Sequence, residues 1–210
     1  RAREVELRFA AELGARRIMQ GWAVLPSINV KVFLADALAR MGDIEEAQKV
    51  CDLGYDELRT QDQVFSRLLL DVSQVTLWLR SGCQREAIDR LRLDLALCRE
   101  HDIPTMMPSV AGLLAEALGR DGQTAEACAV AERVLFDRSY LLGGRYNEFY
   151  LHYGLGVALA AASQHAAARD QLGAAQRHAA SYQQHGHEAD ALLALGETAA
   201  QAGDPSSAML

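Results

Sequence analysis

The chain of 210 residues contains almost no lysine: Lys31 and Lys49 stand against 19 arginines, and 28 acidic side chains outnumber 21 basic ones for a net charge of −7. It has no basic run either, which argues against a general nucleic-acid or anionic-membrane surface while leaving room for a local basic patch. Aromatic residues make up only 6 % of a chain that is half apolar. Much of the apolar half is alanine, and small side chains let helices approach closely. No apolar stretch reaches the roughly 18 residues that a bilayer crossing requires. The four cysteines, Cys51, Cys83, Cys98 and Cys128, form no C-x-x-C pair and follow no secretory leader, so reduced thiols in a cytoplasmic protein are expected. Catalytic signatures are missing too: there is no G-x-x-x-x-G-K-[ST], no G-x-G-x-x-G, no H-E-x-x-H and no convergent acid, base and nucleophile. The chain is therefore expected not to be an enzyme, with no catalytic residue, cofactor or metal.

What is present is a period. Five times a small turn residue is followed five positions later by alanine: Gly42/Ala47, Gly82/Ala87, Gly122/Ala127, Ser163/Ala168 and Gly203/Ala208, in steps of 40, 40, 41 and 40 residues. A fixed spacing in this range marks stacked helix pairs, none of which can bury its apolar face alone. Alignment on the turns predicts first helices over 28–41, 63–81, 104–121, 146–162 and 187–202. Second helices are predicted over 44–60, 84–101, 124–141 and 165–184. Leu34, Ala37, Leu38 and Met41 make one apolar stripe, and Ala47, Val50, Cys51, Gly54 and Leu58 make its partner. Units of 28–62, 63–103, 104–145 and 146–186 follow, between a partial repeat with an irregular connection (1–27) and an incomplete terminal repeat (187–210). The chain opens on Arg1 and stops two residues past Ala208. It is expected to be a piece of a longer protein that self-associates or frays at its uncovered last helix, which carries Leu192 and Leu195.

Twelve positions before each alanine lie Ala35, Val75, Ala115, Gly156 and Gly196. Leu34, Gln74, Leu114, Leu155 and Leu195 precede them, and Leu38, Trp78, Leu118, Leu159 and Ala199 follow three later. The arrangement of Leu-small-x-x-large on the first helix, glycine in the turn and alanine on the second resembles the tetratricopeptide repeat. Gln74 and Val75 depart from it, as does a period of ~40 where the standard unit has about 34 residues. The resemblance implies an all-α fold, a right-handed α-solenoid of stacked antiparallel helix pairs, whose concave groove is lined by first helices and binds a protein or peptide. On that register the groove residues are Asp36, Arg40, Arg80, Glu116, Arg120, Tyr150 and Tyr153. Arg40, Arg80 and Arg120 recur at intervals of 40 and would suit carboxylates on an acidic peptide or effector. Equally, a basic residue in the last turn of a helix is favoured by the macrodipole without any ligand.

The segment Gln184-His185-Gly186-His187-Glu188-Ala189, continuing through Leu192, Leu193, Gly196 and Glu197, resembles C-terminal repeat regions of bacterial multidomain class III nucleotide cyclases. So does Ile103-Pro104 through Leu118. That resemblance implies a regulatory tail, its partners including other domains of the parent protein. The alternative is a small-molecule sensor controlling an attached cyclase or transcriptional activator. Gly143-Gly144-Arg145 reads as an inter-repeat loop. His185, His187, Glu188 and His178 could offer metal ligands, but a polar turn before a helix that starts at His187 is the simpler reading. Trp78 sits at a core seam position, and Trp22 could cap the N-terminal end. For Tyr146, Phe149, Tyr150 and Tyr153, groove recognition and plain inter-repeat packing both remain open.

Overall fold

The computed structural model describes residues 24–61, 63–137 and 147–203. Among them are nine α-helices and no strand: α1 (Pro26–Arg40), α2 (Ile44–Leu58), α3 (Val64–Arg80), α4 (Gln84–Glu100), α5 (Met107–Arg120), α6 (Thr124–Phe136), α7 (Glu148–Ala161), α8 (His165–Ser181) and α9 (His185–Gln201). The expected partial repeat with Trp22, the Gly143-Gly144-Arg145 loop, Tyr146 and Ala208 lie outside the described residues. The chain divides between Ser81 and Gly82 into two compact units, the first containing α1 to α3 and the second α4 to α9.

Each first helix ends as its turn residue demands. Gly42 and Gly122 take φ of +87° and +80°, a conformation that costs other residues more. The next amide then reaches back to a carbonyl five residues earlier, Asp43 to Leu38 at 2.9 Å and Gln123 to Leu118 at 2.8 Å. Ser163 does the same work at φ +59°. The repeat pattern gave no sign that second helices close this way as well. Asp102 (φ +49°) follows α4 and Gln183 (φ +56°) follows α8. Ile103 bonds back to Cys98 and Gln184 to Ala179, at 2.8 and 2.9 Å.

The start of α1 (26 rather than 28) and the ends of α2 (58 rather than 60) and α8 (181 rather than 184) shift slightly, and three further differences change the reading. A 3-10 turn, Pro104–Met106, precedes α5, because Pro108 has no amide to return to the Pro104 carbonyl as a helix running from 104 would require, and Met107 donates to that carbonyl instead. Helix α6 ends at Phe136 rather than Leu141, and α9 starts at His185, two residues before the expected His187. His185 and Gly186 are thus helical rather than a polar turn.

In the first unit the stripe expected on α2 is buried in full: Ala47, Val50, Cys51, Gly54 and Leu58. The stripe expected on α1 is rotated. Ile28, Lys31, Ala35 and Ala39 face the core while Leu34 and Leu38 pack at its edge, and Met41, which falls beyond the helix end, is 75 % exposed. Buried Lys31 is neutralised by Glu57, which its Nζ meets at 2.9 Å and to which the Ser27 hydroxyl also donates. Gln74, anomalous in the repeat pattern, exchanges two amide hydrogen bonds of 2.7 Å with Gln48 on α2. A leucine there could not answer that amide. Asp71, fully buried, accepts from Tyr55 at 2.6 Å and from Arg67 at 3.0 and 3.1 Å.

In the second unit Ala87, Ala127 and Ala168 are fully buried, as the turn register requires. Every residue of α5 from Met107 to Gly119 is buried. Helix α7 lies against it with no side chains between the backbones at the crossing. A Cβ on Gly154 would stand 1.9 Å from the Gly112 carbonyl oxygen, and one on Gly119 would stand 2.6 Å from the Ala158 Cα. Gly156, at a position expected to be small, instead makes room for a side chain: a Cβ there would stand 2.6 Å from Leu172 Cγ of α8.

Candidate functional site

In the second unit the first helices of three repeats, α5, α7 and α9, bring together Glu116, Arg120, Tyr150 and Tyr153 from the expected groove set, with His187, Asp190 and Glu197 added by α9. Phe149 is the anchor. Only 2 % exposed, it packs with Ala175, Ala179 and Ala191, and Tyr150 and Tyr153 are half-buried against that cluster. Its ring stacks on Tyr153 at 5.3 Å and on His187 at 4.4 Å, and meets Tyr150 edge-on at 5.5 Å. The Tyr150 hydroxyl lies 3.4 Å from His187 Nε2. The rings therefore serve packing, while neither tyrosine is fully buried.

Charge around Tyr153 has a definite sign. Burial pushes its hydroxyl above the ordinary tyrosine range; Glu116 adds to that effect, Arg120 opposes it, and Asp190 and Glu197 raise it further. Three carboxylates act there against one guanidinium. That guanidinium is already engaged, since Arg120 Nη2 lies 2.6 Å from Glu116 Oε1 one helical turn back. Arg40 makes the matching contact with Asp36 at 2.9 Å in the first unit. Arg80 ends α3 and is exposed. The guanidinium stripe expected from the sequence thus consists, at Arg40 and Arg120, of forks occupied by acids of their own helices.

The histidines diverge. His185 is 85 % exposed beside Glu188 at 3.8 Å, His187 stacks on Phe149 with Asp190 at 3.9 Å, and His178 meets Glu148 at 3.8 Å and packs on Tyr182. Among the described residues no group of three His, Cys, Asp or Glu side chains is placed to hold a metal ion. The four cysteines, all among the described residues, are in no disulfide, and burial pushes the thiols of Cys51 and Cys98 up to about 12. No described helix is long and apolar enough to cross a membrane. Sequence reasoning missed His187 as a packing partner of the tyrosines, and Asp190 and Glu197. The helical offsets in the last repeat, placing 190 and 197 where 150 and 157 stand in the one before, were the available signal.

Two segments, 30–51 and 108–133, match the family model of the tetratricopeptide repeat. The structure is similar to that of a Podosopora anserina protein assigned as a kinesin light chain with nearly identical TPR-like repeats. The match has a TM-score of 0.51 at 20 % identity and covers 86 % of this chain and 89 % of that one. No curated protein matches the chain in sequence. The fold is that of a TPR-like helical repeat. Repeats of this kind generally present surfaces to protein partners and are not catalytic.

Proposed function

We propose that the chain is a non-enzymatic protein-interaction domain, a cytoplasmic regulatory scaffold within a larger bacterial signalling protein, and that the first helices of the second unit bind a peptide segment. The cyclase-like stretch from Gln184 to Glu197 supports the signalling context. One observation carries the binding reading: half-buried Tyr150 and Tyr153 are fixed on a buried Phe149 where Glu116, Asp190 and Glu197 outweigh Arg120. Rigid aromatic area beside a net negative charge suits a lysine or arginine side chain, which can pair with the acids and lie on the rings. The geometry favours a basic peptide here, opposite in sign to the acidic ligand suggested by the arginine spacing alone. Asp36, Arg40 and Arg80 of the expected groove set lie in the first unit and are proposed as a partner-binding face of that unit by itself.

The experiment is a peptide array of basic, neutral and acidic sequences probed with the native protein and with Tyr153→Ala. Retention of basic peptides by the native protein, and their loss in the variant at unchanged helicity, supports the reading. Preferential retention of acidic peptides contradicts it. Self-association through α9 is proposed as well, on Leu192 and Leu193, which are 39 and 65 % exposed. Sedimentation across a concentration series tests it, and a monomer at every concentration would refute it.

A further inference from the structure

An ion pair links helices α4 and α6 across an offset of 34 residues. At one rung the charges are complementary: Arg92 Nη2 meets both Glu126 carboxylate oxygens, at 2.9 and 3.0 Å. The same offset relates Leu95 to Ala129 one turn on and Arg99 to Arg133 two turns on, and these four residues line one open groove of about 420 Å3. Its floor is apolar, made by Leu95, Ala111 and Val134, each at most 6 % exposed. The small side chains of Ala111 and Ala129 leave the recess. Its rim carries two exposed guanidiniums, neither of them in an ion pair with another described residue. Like charges across a groove repel, and in a chain of net charge −7 an acid at either position would have closed this rung as Glu126 closes the other.

We propose that this groove binds a small amphiphilic anion, with one carboxylate or phosphate group held between Arg99 and Arg133 and an aliphatic body laid on Leu95, Ala111 and Val134. Guanidinium forks engage both head groups in two-pronged fashion, and a bound anion turns the repulsion into a bridge. The volume suits a single small ligand rather than a folded partner. This site is separate from the tyrosine face and does not depend on the peptide-binding reading.

The test is calorimetric titration of the native protein with decanoate and with decyl phosphate below their micelle thresholds, with decanol as the neutral control. Saturable one-to-one binding of at least one anionic probe is expected, and roughly tenfold weaker binding of decanol. The preferred probe identifies the head group. The double variant Arg99→Gln/Arg133→Gln should bind at least about tenfold more weakly, yet melt no lower than the native protein without ligand, because it removes a like-charge pair. Ala129→Phe, at an exposed position that fills the recess, should abolish binding independently of charge. No saturable binding of either anion, equal binding of decanol, or unchanged affinity in the double variant overturns the proposal. So does an acidic peptide that binds through Arg99 and Arg133 where both probes fail.

Discussion

Gly112 of α5 and Gly154 of α7 meet backbone to backbone: a Cβ on Gly154 would lie 1.9 Å from the Gly112 carbonyl oxygen. Glycine inside a helix normally costs about 0.5–1 kcal/mol against alanine, so its presence here is explained by the close approach and not by helix formation. Gly154→Ala should therefore destabilise the protein by roughly 2–3 kcal/mol through overpacking against backbone that cannot swing away. Gly173→Ala is the control. Its Cβ would meet only the end of the Arg177 side chain at 3.2 Å. That variant should gain about 0.5–1 kcal/mol. Chemical denaturation of both variants checks the pair, and the same sign for both would contradict the crossing.

The turn alanines make a second prediction. Ala127 is fully buried beneath the turn at Gly122. Ala127→Arg should cost about 3 kcal/mol or more by overpacking and by burial of a charge. Melting within a few degrees of the native protein would mean that the repeat register is wrong.

Gln74 gives a third. Restoring the family's usual residue with Gln74→Leu should destabilise by about 1 kcal/mol, because Gln48 loses its reciprocal partner. The double change Gln48→Leu/Gln74→Leu should recover much of that loss, since an apolar pair leaves neither amide unanswered. A double-mutant cycle in denaturant measures the coupling, and additive effects would show that the amide pair contributes nothing.

A fourth concerns alkaline pH. Burial raises the Cys51 and Cys98 thiols from 9.0 to about 12, so the folded chain holds protons that the unfolded chain releases. Below pH 9 both states are protonated and the thiols add no pH dependence. Between pH 9 and about 12 the unfolded state is favoured progressively, and stability falls. Cys51→Ala/Cys98→Ala should flatten this fall, whatever its effect at neutral pH. At pH 8, alkylation should spare both thiols until denaturant is added.

The helix pairs were legible because each repeat encodes its own turn and packing residues locally, from Gly42 and Ala47 onward. Other features had no local signal. A left-handed Asp102 or Gln183 resembles any other loop residue, and the link between Gln48 and Gln74 spans 26 positions. Gly112 and Gly154 were visible as letters, but only the crossing of α5 and α7 explains them. Arg40 and Arg120 were placed correctly at helix ends, whereas their capture by Asp36 and Glu116 depended on rotamers that spacing does not fix. The acidic balance at Tyr153 required three helices to converge.

The central claim is that this convergence forms a recognition surface for a cationic partner. The most direct measurement is calorimetric titration of a basic peptide selected on the array, against the native protein and against Asp190→Asn/Glu197→Gln, at low and high salt. Glu197 is exposed and Asp190 is partly exposed beside His187, and both substitutions keep the size of the side chain, so the fold should be unchanged. The account predicts affinity roughly tenfold lower in the variant, with a shallower dependence on salt. Equal affinity and an equal salt slope in the two proteins would contradict it.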